Sequence, residues 1–147
     1  MPKVASALLE RNQRALDQAK PLLESLSKQW GAIETALSNM GILKAAACTF
    51  ESDEDPRTGH VSGEYQLSVQ KLSGKWRVCT GYFHYQSPYG DVEDWTPVID
   101  APISRRIELL DYVDDLREAI VAANESCVAQ LEEACEKSSN VLKQLAK

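Results

Sequence analysis

Apolar residues recur every three or four positions along both ends of this chain, and every second position in its middle. Toward the C-terminus they fall at Ile103, Ile107, Leu110, Val113, Leu116, Ile120, Ala123, Cys127, Leu131, Ala134, Val141 and Leu145, with a polar slot only at Ser138. That is the period of one helical face, and no Pro or Gly interrupts it after Ile103. The spacing predicts one helix from Ile103 to Leu145, about 65 Å long at 1.5 Å per residue. Such a helix outruns a small domain, so part of it must lie on a sheet and the rest must find another helix.

The N-terminal stretch from Val4 to about Met40 is also helical in period. Ala19, Leu23, Leu26, Trp30, Ile33, Leu37 and Met40 alternate steps of four and three, as in a coiled-coil seam. Pro21 removes a backbone donor and crowds the preceding turn, which predicts a kink between Asp17 and Pro21; two helices with a tight joint is the alternative. Gly41 follows as a stop.

Three strands are expected between the helices. Ile42–Ser52 is the least distinct, because its alanines also suit a helix. Tyr65–Lys71 alternates cleanly, Trp76–Tyr85 does the same, and Ser73-Gly74 between them suits a two-residue hairpin turn. That turn sets a register: Leu72 opposite Lys75, Val69 opposite Val78, Leu67 opposite Thr80, Tyr65 opposite Tyr82, with Gln70–Arg77 and Ser68–Cys79 on the other face. One face becomes mostly apolar and the other mostly polar, as a half-buried hairpin requires. Gln86–Pro102 is an irregular connection in which Trp95–Ile99 forms a short extended piece that Pro97 confines to an edge. Pro102 suits the first turn of the last helix.

The fold expected is therefore α+β over residues 1–147 as a single domain. A long N-terminal helix, a three-stranded antiparallel meander and a long C-terminal helix follow in order, with both helices on one face of the sheet. The overhangs, roughly Val4–Ala19 and Ser126–Lys147, either pair as an antiparallel stalk or join those of a second subunit in a four-helix arrangement, and a homodimer is the favoured reading.

Composition narrows the function. Net charge is −6, and the 16 Lys and Arg are scattered, which argues against a nucleic-acid surface. No apolar stretch reaches bilayer-spanning length and no targeting segment is visible, so a cytoplasmic, membrane-free protein is expected. The four cysteines, Cys48, Cys79, Cys127 and Cys135, form no Cys-x-x-Cys pair and read as reduced, packed thiols. Asp53-Glu54-Asp55 with Glu64 resembles a calcium loop only in its acids, since Arg57 and Thr58 occupy ligand and Gly positions. No metal, cofactor or phosphate-loop pattern is present, and no nucleophile motif.

One stretch exceeds structural need: Tyr82-Phe83-His84-Tyr85 with Tyr89 and Trp95. Alternation places Phe83 and Tyr85 on the polar face, where an aromatic patch marks an interaction surface unless the following loop covers it. Asp91, Glu93 and Asp94 rim it and favour a partner with a basic edge. The expected function is a non-catalytic protein-interaction module of adaptor, chaperone or inhibitor type. It dimerises through its long helices and binds another protein with Phe83, Tyr85, Tyr89, Asp91, Glu93, Asp94 and Trp95. The alternative is a small-ligand-binding protein or small enzyme, with a pocket between long helix and sheet and His84, Tyr85 and Trp95 at its mouth.

Overall fold

A computed structural model describes residues 2–86, 92 and 94–147. Helix α1 (Pro2–Asn39) leads into strands β1 (Ala46–Glu54), β2 (Val61–Leu72) and β3 (Lys75–His84) and a two-residue strand β4 (Thr96–Pro97). A 3-10 turn at Val98–Asp100, helix α2 (Ile103–Glu108), a second 3-10 turn at Leu109–Tyr112 and helix α3 (Val113–Leu145) complete it. The sheet is antiparallel throughout, in the order β1-β2-β3-β4.

The hairpin register is the expected one at every position, from Leu72–Lys75 through Val69–Val78 to Tyr65–Tyr82. Ser73 and Gly74 both take positive φ, 51° and 81°, as a two-residue turn matched to strand twist requires. The expected three-stranded meander gains a fourth strand, because Pro97 pairs with Cys79 and Thr96 with Thr80. Pro97 has no N–H to donate, so this strand stays short and at the edge. Beyond it, Glu34 of α1 protects the open edge of β3: its carboxylate accepts the Val78 N–H at 3.0 Å and the Arg77 Nε–H at 2.9 Å.

One helical expectation is met and two are corrected. Helix α1 is a single helix with Pro21 inside its bounds, not two helices with a joint. The C-terminal helix is not continuous from Ile103: the 3-10 turn at Leu109–Tyr112 tightens the backbone and shifts the phase. Leu109 is therefore fully buried, whereas Ile103, Ile107 and Leu110 of the expected stripe are exposed. The buried Trp30 indole donates to the Arg106 carbonyl at 3.1 Å, drawing off an acceptor just before that turn.

The second correction concerns direction. Along α1, Trp30 meets Arg106, Glu34 meets Val78, and Ser38 lies by Lys75, so α1 runs opposite to β3. In the C-terminal region, Tyr112 contacts Cys48 and Phe50, while Asn124 bonds Gly41 and Leu43, so α3 runs opposite to β1. Strands β1 and β3 are parallel to each other across β2, so α1 and α3 point the same way. Their overhangs therefore leave the sheet at opposite ends. An antiparallel stalk within one chain is excluded, and so is a single bundle of all four arms in a pair of chains.

The core joins Trp30 and Leu37 of α1, Leu109, and Leu116 and Ile120 of α3 to Ala46, Phe50, Leu67, Val69 and Val78 of the sheet, with Val98 beside them. Burial of these side chains contributes roughly 1.5–3 kcal/mol each against exposure. Beyond Cys127, every residue of α3 is exposed, as is every described side chain of α1 before Ala19.

Candidate interaction surface

The sheet end at which β3 finishes gathers most of the described aromatic side chains, with several charged ones among them. A bulge between Thr49 and Glu51 shifts the pairing of β1 by one residue there. Phe50 and Glu51 therefore both reach the helix side, where Arg105 lies over the Phe50 ring at 4.8 Å and the Tyr65 ring at 5.1 Å. The Arg105 guanidinium also bonds Glu108 at 2.9 Å and Glu51 at 3.4 Å. Tyr65 meets Tyr82 edge to face at 4.9 Å, and Tyr82 meets His84 at 4.4 Å. The Tyr82 hydroxyl donates to Asp53 at 2.8 Å. A Cβ on Gly63 would enter the Tyr82 ring, so only glycine lets that ring lie flat against β2.

Between these rings and Pro102–Arg105 lies an open cleft of about 350 Å³, with Thr80, Asp94 and Thr96 in its walls. It lies between helix and sheet, where the alternative reading places a pocket, but none of the three residues expected at the mouth of that pocket lines it. His84, Tyr85 and Trp95 are not in its walls; Tyr65, Tyr82 and Arg105 are. The predicted pairing of Tyr65 with Tyr82 already contained half of this, whereas nothing in the sequence ties Arg105 to the Phe50 bulge.

On the other face, Phe83 and Tyr85 lie together as expected, ring centroids 5.9 Å apart. Phe83 is half-buried and Tyr85 exposed. Val92 bridges to Phe83, and both Val92 and Trp95 cover Gly81, where an added Cβ would come within 3 Å of each. The chain thus folds back over part of this face, leaving Tyr85 open. The Tyr85 hydroxyl donates to Glu64 at 3.0 Å, and Gln66 donates to the same carboxyl group at 2.7 Å. Burial pushes the Glu64 pKa up, but hydrogen bonds from Gln66, Thr49 and Tyr85 together outweigh it and hold the carboxyl below its ordinary value. Glu64 therefore presents a fixed negative charge beside Tyr85. Asp94 is exposed on the cleft side; Tyr89, Asp91 and Glu93 lie outside the described residues.

Two of the thiols and one buried serine are committed to packing or to hydrogen bonds. Burial pushes the Cys48 and Cys79 thiols up to about 11, so both are protonated near neutral pH and poor nucleophiles. Ser68, fully buried, donates to the Ala46 carbonyl at 2.8 Å and accepts from Gln70 at 2.7 Å. Among the described residues, no three His, Cys, Asp or Glu side chains gather as a metal site would need, and no helix is long and apolar enough to cross a membrane. Comparison with protein families, with curated proteins and with solved structures found no match to this chain.

Proposed function

We propose that this chain is a non-catalytic protein-interaction module. Its two long helices cover one face of the sheet and serve for dimerisation. The aromatic end of the opposite face, Phe83, Tyr85 and Trp95 with the acidic Glu64 beside them, receives a partner protein with a basic edge, and Asp94 adds an acid from the cleft side of the same sheet end. The single observation that carries this reading is the exposed Tyr85 ring, packed on Phe83 and tethered to an ionised Glu64 on a face that is otherwise polar. A tyrosine held in one orientation offers apolar area and a hydroxyl at small entropic cost, which is how interface anchors are built. The dimer rests on the exposed apolar side chains along both helical arms, from Leu8 and Leu16 to Leu131 and Leu145.

A Phe83→Ala, Tyr85→Ala double variant tests the partner surface. Both rings sit at the sheet end outside the core cluster, so the variant is expected to fold with an unchanged far-ultraviolet spectrum. Its capture of proteins from the native host should fall by about tenfold or more, as loss of an aromatic anchor implies. Full capture by a folded double variant overturns the reading.

A further inference from the structure

Asp94 apart, the cleft between the sheet and Pro102–Arg105 has no part in the partner surface proposed above. It is nonetheless built as ligand pockets are, about 350 Å³ and mostly apolar in lining, with polar groups converging on it. The Tyr65 and Tyr82 rings in its walls stand at 64° to each other with centroids 4.9 Å apart, which makes an aromatic corner. Thr80 and Thr96, directly opposite each other across β3 and β4, bring two hydroxyl-bearing side chains to the same cleft. Asp94 adds a carboxylate that meets no base among the described residues.

The neighbouring rings show what such walls hold. Arg105 lies over Phe50 and Tyr65, its charge answered by Glu51 and Glu108. No cation lies over Tyr82 among the described residues. Its hydroxyl donates to the Asp53 carboxylate, which pushes electron density into the ring and makes its face a better seat for positive charge. Arg105 does not oppose a second cation. Glu51, Glu108 and Asp53, bonded to Arg105 and Tyr82, carry three negative charges and Asp94 a fourth, against the one positive charge of Arg105.

We infer that this cleft is a binding site for an organic ammonium ion, a cationic head on an apolar stem. The head sits by Tyr82 and Asp94, where its N–H groups find acceptors in the carboxylate and the threonine hydroxyls, and the stem runs along Ala101 and Pro102. The charge balance turns away anions, and a neutral ligand leaves the carboxylate unanswered. The site is on the helix side of the sheet, so it stands independently of Phe83 and Tyr85. A lysine side chain of another protein and a free amine share this chemistry. The cleft is open and Asp94 is exposed, so water screens the ion pair and the site is weak. A Kd on the order of 1–10 mM is expected for n-butylammonium.

Titration of the full chain with n-butylammonium chloride to about 100 mM, at ionic strength held constant with sodium chloride, tests this by NMR of the tyrosine rings. Saturable shifts of Tyr65 and Tyr82 are expected, with Tyr85 unmoved. The neutral molecule of the same shape, n-butanol, should bind about tenfold more weakly or worse. Asp94 is exposed, so Asp94→Asn should fold as the parent does and bind n-butylammonium about threefold more weakly. Glu64→Gln, on the other face, should leave the affinity unchanged. Shifts that stay linear to the end of the titration overturn the proposal. So does n-butanol binding equally well, which makes the cleft merely apolar. Loss of binding in Glu64→Gln but not in Asp94→Asn overturns it too, by moving the cation to the outer face. The tripeptide N-acetyl-Gly-Lys-Gly-amide then separates the two sources, and either result supports the site. Binding about tenfold tighter than n-butylammonium assigns the cleft to a partner's lysine, and equal or weaker binding assigns it to a free amine.

Discussion

Ser73 occupies a left-handed conformation with φ of 51°, which an ordinary L side chain enters at a cost and Asn enters more easily. Ser73→Asn is therefore expected to raise stability by about 0.5 kcal/mol, read as a higher urea midpoint at unchanged slope. At the other end of the hairpin, the Glu64 carboxyl is held below its ordinary pKa by three side-chain donors. A depressed carboxyl contributes stability above the unfolded value and loses it as pH falls through the folded one. Acidification through that lowered value should release the Tyr85 hydroxyl, followed by tyrosine ring shifts in NMR, and Glu64→Gln should remove the transition. The Tyr65–Tyr82 pairing follows from alternation and a two-residue turn, so it was readable from the chain. The Arg105 contact with Phe50 spans more than fifty positions and depends on a bulge, which no local period encodes.

Among the elements, the arms are independent of the core. Ile120 is the last fully buried residue of α3, and Ala123, Asn124 and Cys127 are only partly covered. A chain ending after Cys127 should keep its folded sheet and melt within about 3 °C of the intact protein, because exposed helical turns add little to stability. A drop of ten degrees or more would show that the arm is integral to the fold. The long C-terminal period misled about continuity: a 3-10 turn of four residues preserves an apolar pattern while changing which residue points inward, Leu109 in place of Leu110. Pro21 does not split its helix, as the apolar phase continuing across it implied. The proline lies in the outer part of α1, exposed, and a surface helix continues past such a residue when its apolar face is satisfied further along.

For the whole molecule, oppositely directed arms make the monomer long. α1 has 38 residues and α3 has 33, and their overlap is confined to the sheet. Small-angle scattering at low concentration should give a maximum dimension of about 90 Å, against about 60 Å were both arms on one side.

The sequence by itself determined the periods: two long helices, a hairpin with its register, an edge strand limited by Pro97, and an aromatic pair on the polar face. Those are local quantities, set by backbone geometry and by which side of an element must be dry. The tertiary structure alone decided the β1 bulge, the cleft under Arg105, the Glu34 cover on the β3 edge, and the direction of the arms. Direction is the sum of every chain reversal between the two helices. With three full strands between them, each helix antiparallel to the strand it covers, the sum returns the chain to its starting sense. An expected stalk becomes two arms at opposite ends.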